Sequence, residues 1–162
     1  MKKQMQITGC EPREKKKKQY IPIYRVQLVR DGSAKTDSKV IDYPGKAAEI
    51  LRNYIGETDR EVFVVAMLDT KSKVIGINTV SVGSINASIV HPREVLKPAI
   101  LSNAVGIIIG HNHPSGEPTP SREDKEVTNR IDQACQIIGI QLLDHIVLGE
   151  NGYYSMKDQG DI

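Results

Sequence analysis

Apolar residues recur along the chain in several distinct rhythms. From 46 to 55, Ala47, Ile50, Leu51, Tyr54 and Ile55 fall on one helix face, and Gly56 closes the run. Residues 61 to 68 are almost continuously apolar from Val62 to Leu68, the pattern of a strand buried on both faces. Asp69 to Lys73 then turns the chain into a partner strand, Val74 to Val80, with a further short strand expected around 82 to 89. Upstream, Ile21, Ile23, Arg25 and Gln27 alternate with Pro22, Tyr24, Val26 and Leu28, which predicts an edge strand over 21 to 29.

The second half continues the pattern. Pro92 opens a helix at its first turn, where a missing N–H costs nothing, and Pro98 is expected to kink or interrupt it. Ala104 to Gly110 is a second apolar strand that delivers the chain to His111. A helix over 122 to 138 buries Val127, Ile131, Ala134 and Ile138 and stops at Gly139. Ile140 to Leu148 and Tyr153 to Met156 read as final strands around a Glu150-Asn151-Gly152 turn. Strands alternating with helices predict an α/β sandwich around a mixed, curved sheet. No internal repeat is visible.

Composition narrows the class. At 162 residues, 39% hydrophobic and 26% charged, the chain suits one globular domain with a real core. With no Trp and one Phe, aliphatic side chains must fill it. The net charge of +2 is uneven: seven of the 22 basic residues but only two of the 20 acidic ones lie in residues 1 to 19. A basic arm, read as disordered, therefore precedes a slightly acidic domain over 20 to 162. Such an arm, with its Lys15 to Lys18 run, offers at most weak contact to DNA phosphates. No signal peptide and no membrane span is visible, so the expected location is cytoplasmic. Cys10 and Cys135 lie far apart and no CxxC occurs, which leaves a disulfide framework or thiolate zinc site unsupported.

The chemistry gathers in residues 111 to 124, HNHPSGEPTPSRED. His111 and His113 are two apart at the end of a strand, so both imidazoles can point to one side. Pro114 favours extended backbone at His113. Asp124 falls in the first turn of the next helix, on the face line of Val127 and Ile131. Two nitrogens and one carboxylate oxygen suit Zn2+ and leave a fourth tetrahedral position for water, as catalytic zinc sites do. A hydrolase also needs a base that is not a ligand. Glu61, at the entrance of the most apolar strand, is the best placed by pattern, and Ser121 could support a developing oxyanion.

Plainer readings exist for each residue. Ser121-x-x-Asp124 matches a helix N-cap, and the same serine can do both tasks. Glu61 could be a solvated strand-end charge, His91 a helix-entry residue, and His145 a hydrogen-bonded core histidine rather than a fourth ligand. The His-Asn-His letters do not make the nuclease of that name, whose three residues are spread over two strands and a helix. A deaminase His-x-Glu with Pro-Cys-x-x-Cys is absent, as is a His-Glu-x-x-His protease helix.

His111-x-His113, seven residues, Ser121, two residues, Asp124 resembles the JAMM signature of the JAB/MPN metalloproteases. Val90 to Val95, Asn103-Ala104, His111 to Gly116 and Leu143 to Ile146 resemble the bacterial RadC-like branch, over roughly residues 45 to 157. The resemblance implies an MPN-type α-β-α sandwich, zinc on His111, His113 and Asp124, Glu61 as general base and Ser121 at the oxyanion. It implies a zinc-activated water that cleaves an amide bond in a peptide or protein, often an isopeptide bond. The branch has carried a DNA-repair label. The alternative implied is a DNA-repair or mobile-element-associated accessory protein with a non-catalytic metal. RadC-like proteins usually carry a helix-hairpin-helix region ahead of this domain; residues 1 to 56 here hold the basic arm and a strand-helix segment instead.

Overall fold

The computed structural model describes residues 19–83 and 90–162. The basic arm to residue 18 and residues 84–89 of the short strand expected at 82 to 89 lie outside the described residues. The elements in chain order are α1 (Pro44–Ile55), β1 (Val62–Leu68), β2 (Val74–Val82), α2 (Pro92–Leu101), β3 (Gly106–Asn112), α3 (Arg122–Ile138), β4 (Gln141–Leu148) and β5 (Tyr153–Ser155). The strands form one mixed sheet in the order β2-β1-β3-β4-β5. β1 runs antiparallel to both neighbours, while β3 and β4 are parallel and joined through α3. A parallel pair needs such a crossover, and a helix supplies it here.

Strand alternation divides the core into two layers. Phe63, Val65, Met67, Ile107 and Ile109 share one cluster with Val95, Leu96 and Ala99 of α2 and Val127, Ile131 and Cys135 of α3. Val64, Ala66, Leu68, Ile108 and Ile146 share the other with Ala47, Ala48, Ile50 and Leu51 of α1. This is the expected α-β-α sandwich, and it explains why β1 carries no polar face. α1 lies close on β3. A Cβ at Gly110 would stand 2.6 Å from Leu51 Cδ1 and 3.0 Å from the Ile146 carbonyl, so any larger residue there must displace the Leu51 side chain.

Four expectations need correction. Ile138, expected on the buried face of α3, is 49% exposed in the last turn before the Gly139 cap. Residues 21 to 29 form no strand: Ile21, Ile23 and Tyr24 are 89%, 97% and 82% exposed. Alternation is a local signal, and a strand also needs a partner edge. Near the start of β2 that role goes to residues 39–41, through Val74 N–H to the Lys39 carbonyl and the Val40–Lys73 bridge. Pro98 does not interrupt α2. Its ring is buried on the face that also buries Val95, Leu96 and Ala99, and this burial offsets the lost hydrogen bond. β3 runs past Gly110 to Asn112, because the ladder to β4 continues to Asn112↔Leu148. No helix among the described residues is long and apolar enough to cross a membrane.

Candidate metal centre

β3 places His111 on the face of Ile107 and Ile109, where it is fully buried. Its ring stacks on Phe63 of β1, centroids 6.0 Å apart and planes at 10°. His113 leaves the sheet one residue beyond β3. Its N–H still bonds the Leu148 carbonyl at 2.8 Å, which keeps the backbone extended and turns the ring toward His111. A tight turn follows, with Gly116 at φ +86 donating its N–H to the His113 carbonyl. The chain then enters α3 through a capping box. Ser121 Oγ accepts from the Asp124 N–H, and Asp124 Oδ2 accepts from the Ser121 N–H at 2.7 Å and its hydroxyl at 2.6 Å. Both the plain cap and the inward carboxylate expected from sequence are therefore present.

His111, His113 and Asp124 meet at one point. The two Nε2 atoms are 3.0 Å apart, His111 Nε2 is 3.3 Å from Asp124 Oδ1, and His113 Nε2 is 3.5 Å from Asp124 Oδ2. Donors at the tetrahedral corners around an ion with bonds of about 2.0–2.1 Å would be about 3.3–3.4 Å apart. The observed separations run from 3.0 to 3.5 Å, reach both oxygens of the carboxylate, and bracket those values. The site can hold a metal ion.

Hydrogen bonding also aims the lone pairs. Thr128 donates its single hydroxyl proton to the Asp124 carbonyl at 2.6 Å. Its oxygen therefore accepts from His145 Nδ1, 2.6 Å away. His145 Nε2 is then left to accept from His111 Nδ1 at 2.8 Å. His111 thus presents a bare Nε2 to the centre. His113 donates from Nδ1 to the Glu117 carbonyl at 2.7 Å, so its Nε2 is bare as well. Partners of this kind orient metal-binding imidazoles generally. His145 is a hydrogen-bonded core histidine, as expected, and its link to His111 makes it part of the site. Pattern alone missed Thr128: only its helical offset of four from Asp124 hints at the contact.

The electrostatics agree with a cation seat. Burial pushes the Asp124 carboxyl upward, but the adjoining His111 and His113 imidazoles and the Ser121 hydrogen bond outweigh it and hold the group far below the usual carboxylate range. The hydrogen bond with Asp124 raises the proton affinity of His113 against burial, helped by the Glu117 carbonyl and the charge of Glu61. His145 lies well below an ordinary histidine, first through burial and then through the neighbouring His111, which suits a neutral ring in a fixed tautomer. Burial pushes the free Cys135 thiol up to about 11, and the thiol has no part in the donor set.

Glu61 stands half-buried just before β1. Its carbonyl accepts from the Gly83 N–H at 2.8 Å. The side chain of Asn112 bonds the backbone on either side of it: Oδ1 accepts from the Val62 N–H at 2.8 Å and Nδ2 donates to the Arg60 carbonyl at 3.0 Å. Sequence reasoning gave Asn112 no role. An open cleft lined by Ser115–Pro118 and Glu150–Gly152 adjoins the His113 turn.

Comparison with known proteins identifies the family. The family profile described as RadC-like JAB domain matches residues 41–161. A UPF0758 protein of Rubrobacter xylanophilus is 53% identical over 121 residues, 75% of this chain and 53% of the relative. A Clostridium botulinum relative, also described as a UPF0758 protein, is 47% identical over 130 residues, covering 80% of this chain and 56% of that protein. One of Thermotoga maritima is 48% identical over 104 residues, 64% and 47% of the respective lengths. The chain spans about half the length of the curated relatives it matches.

Proposed function

The chain belongs to the RadC-like JAB domain family, and on that premise we propose that it is a zinc-dependent hydrolase of metallopeptidase or isopeptidase type that cleaves amide bonds. One observation carries the reading: two bare imidazole nitrogens and a deprotonated carboxylate converge at 3.0 to 3.5 Å, close to the spacing of donors around one ion. His111, His113 and Asp124 would hold the zinc. When bound, zinc supplies a Lewis acid that polarises a carbonyl and acidifies a coordinated water. Glu61 takes the proton from the attacking water and returns it to the departing amine. Ser121, at the exposed rim, turns its hydroxyl from Asp124 toward the developing oxyanion, while its backbone N–H keeps the carboxylate in place. The substrate is a peptide or protein amide lying along the open cleft beside the His113 turn.

The test pairs zinc-loaded protein with its Glu61→Gln variant on a library of peptides and isopeptide-linked conjugates, with cleavage read by mass spectrometry. The parent protein should cleave, and the variant should keep its metal and lose about 10²–10⁴-fold in rate. Equal cleavage by both removes Glu61 as the base. A fully zinc-loaded parent that leaves every amide intact overturns the hydrolase reading.

A further inference from the structure

The strands around Glu61 do not end together. β3 stays paired to β4 as far as Asn112↔Leu148, yet its pairing with β1 stops at Phe63↔His111. The end of β3 peels toward β4, and His113 follows by bonding the Leu148 carbonyl. Backbone ladder bonds are therefore missing opposite residues 60–62, on the segment that carries Glu61. An unpaired peptide group at a half-buried position is costly and loosely held. The Asn112 side chain fills the gap. A carboxamide has one acceptor and a donor in a plane, like a peptide group. Asn112 spends both on the two peptide groups that flank Glu61, at 2.8 and 3.0 Å. Gly83 holds the Glu61 carbonyl from the β2 side.

We infer that Asn112 is a positioning residue for Glu61: its carboxamide stands in for strand backbone and fixes the Glu61 segment beside the donor set. The inference deepens the proposed function and rests on its reading of Glu61 as the base. The residue sits between the two histidine ligands, so one short segment sets both the metal donors and the site of the base. Glu61 lies two residues before Phe63, whose register partner in β3 is the ligand residue His111. Other side chains of similar reach fall short. Aspartate lacks the donor, leucine lacks both polar atoms, and glutamine adds a methylene.

Two measurements on the full chain test this. NMR-detected amide exchange in Asn112→Ala should show the Val62 N–H exchanging at least about tenfold faster while Val65 and Met67 keep their protection. Unchanged exchange at Val62 overturns the inference and leaves the proposed function standing. The second measurement uses cobalt(II) as a visible probe, following the pH midpoint of its spectrum. Glu61→Gln should move that midpoint, Asn112→Ala should move it in the same direction, and the double variant should move it no further than Glu61→Gln alone. A wild-type midpoint in Asn112→Ala, or additive shifts in the double variant, overturns the positioning role, because a merely structural residue would act independently of Glu61. If Glu61→Gln itself leaves the midpoint in place, the assignment of the base fails and the inference falls with it. Asn112→Asp, which keeps the acceptor for the Val62 N–H and loses the donor to the Arg60 carbonyl, gives a smaller effect on amide exchange and carries that readout if the alanine variant does not fold.

Discussion

His111 Nδ1 lies 2.8 Å from His145 Nε2, and both rings are fully buried. This contact fixes which nitrogen of His111 faces the donor set, because His145 is itself committed to Thr128. Replacing His145 by Phe keeps an aromatic ring in the core and removes the acceptor. Metal affinity should fall about 10–100-fold, as measured by competition with a chromophoric chelator. Unaltered affinity would show that packing alone orients His111.

Purified wild-type protein should contain about one zinc per chain, and His113→Ala should lose it. Elemental analysis decides this. Full occupancy in the variant would remove His113 from the ligand set. Loss in Glu61→Gln as well would make that residue a ligand rather than a base.

The metal-free site should stabilise the fold within a defined pH window. The folded-state value of His113 is raised above 6.5, so its contribution is complete below that pH and disappears as pH rises through the raised value. The folded-state value of Asp124 is depressed below 3.8, so its contribution is complete above that pH and is lost as acid pulls it through the depressed value. Thermal denaturation with chelator present should therefore show the largest contribution from this pair between pH 3.8 and 6.5. Added zinc must displace the His113 proton, so its stabilisation should grow with pH. A zinc effect that weakens from pH 6 to 8 contradicts this competition.

Gly110→Ala places a methyl group against Leu51 and the Ile146 carbonyl. Overpacking of this kind costs about 1–3 kcal/mol, measurable by urea denaturation. Combining it with Leu51→Ala should cost less than the sum of the two single losses, since the two changes share one contact. Additive losses would locate the strain at the backbone carbonyl instead.

The donor set was legible from sequence for a physical reason. Strand parity aligns His111 with His113, and the first turn of a helix has few inward directions, so Asp124 was nearly determined by spacing. The two-faced burial of β1 and the span of α3 were legible for the same reason, since a repeat period is local information. The failures concern contacts between distant segments. The apolar alternation at 21 to 29 looks like a strand until the β2 edge is seen to bond residues 39–41 instead. Pro98 looks like a break until its ring is seen buried. The links from Thr128 to His145 and from Asn112 to residues 60–62 join elements 17 and about 50 residues apart, and no local pattern announces them.

The capping-box helix that brings Asp124 in also has a meaning for the order of assembly. All three donors lie in one stretch from His111 to Asp124, so gathering them needs only a short loop to close, at little entropic cost. Glu61 arrives from a strand some fifty residues earlier and is in place only when β1 zips onto β3. A cation would thus be able to draw its three donors together while the sheet is still open, with the Glu61 segment joining them last.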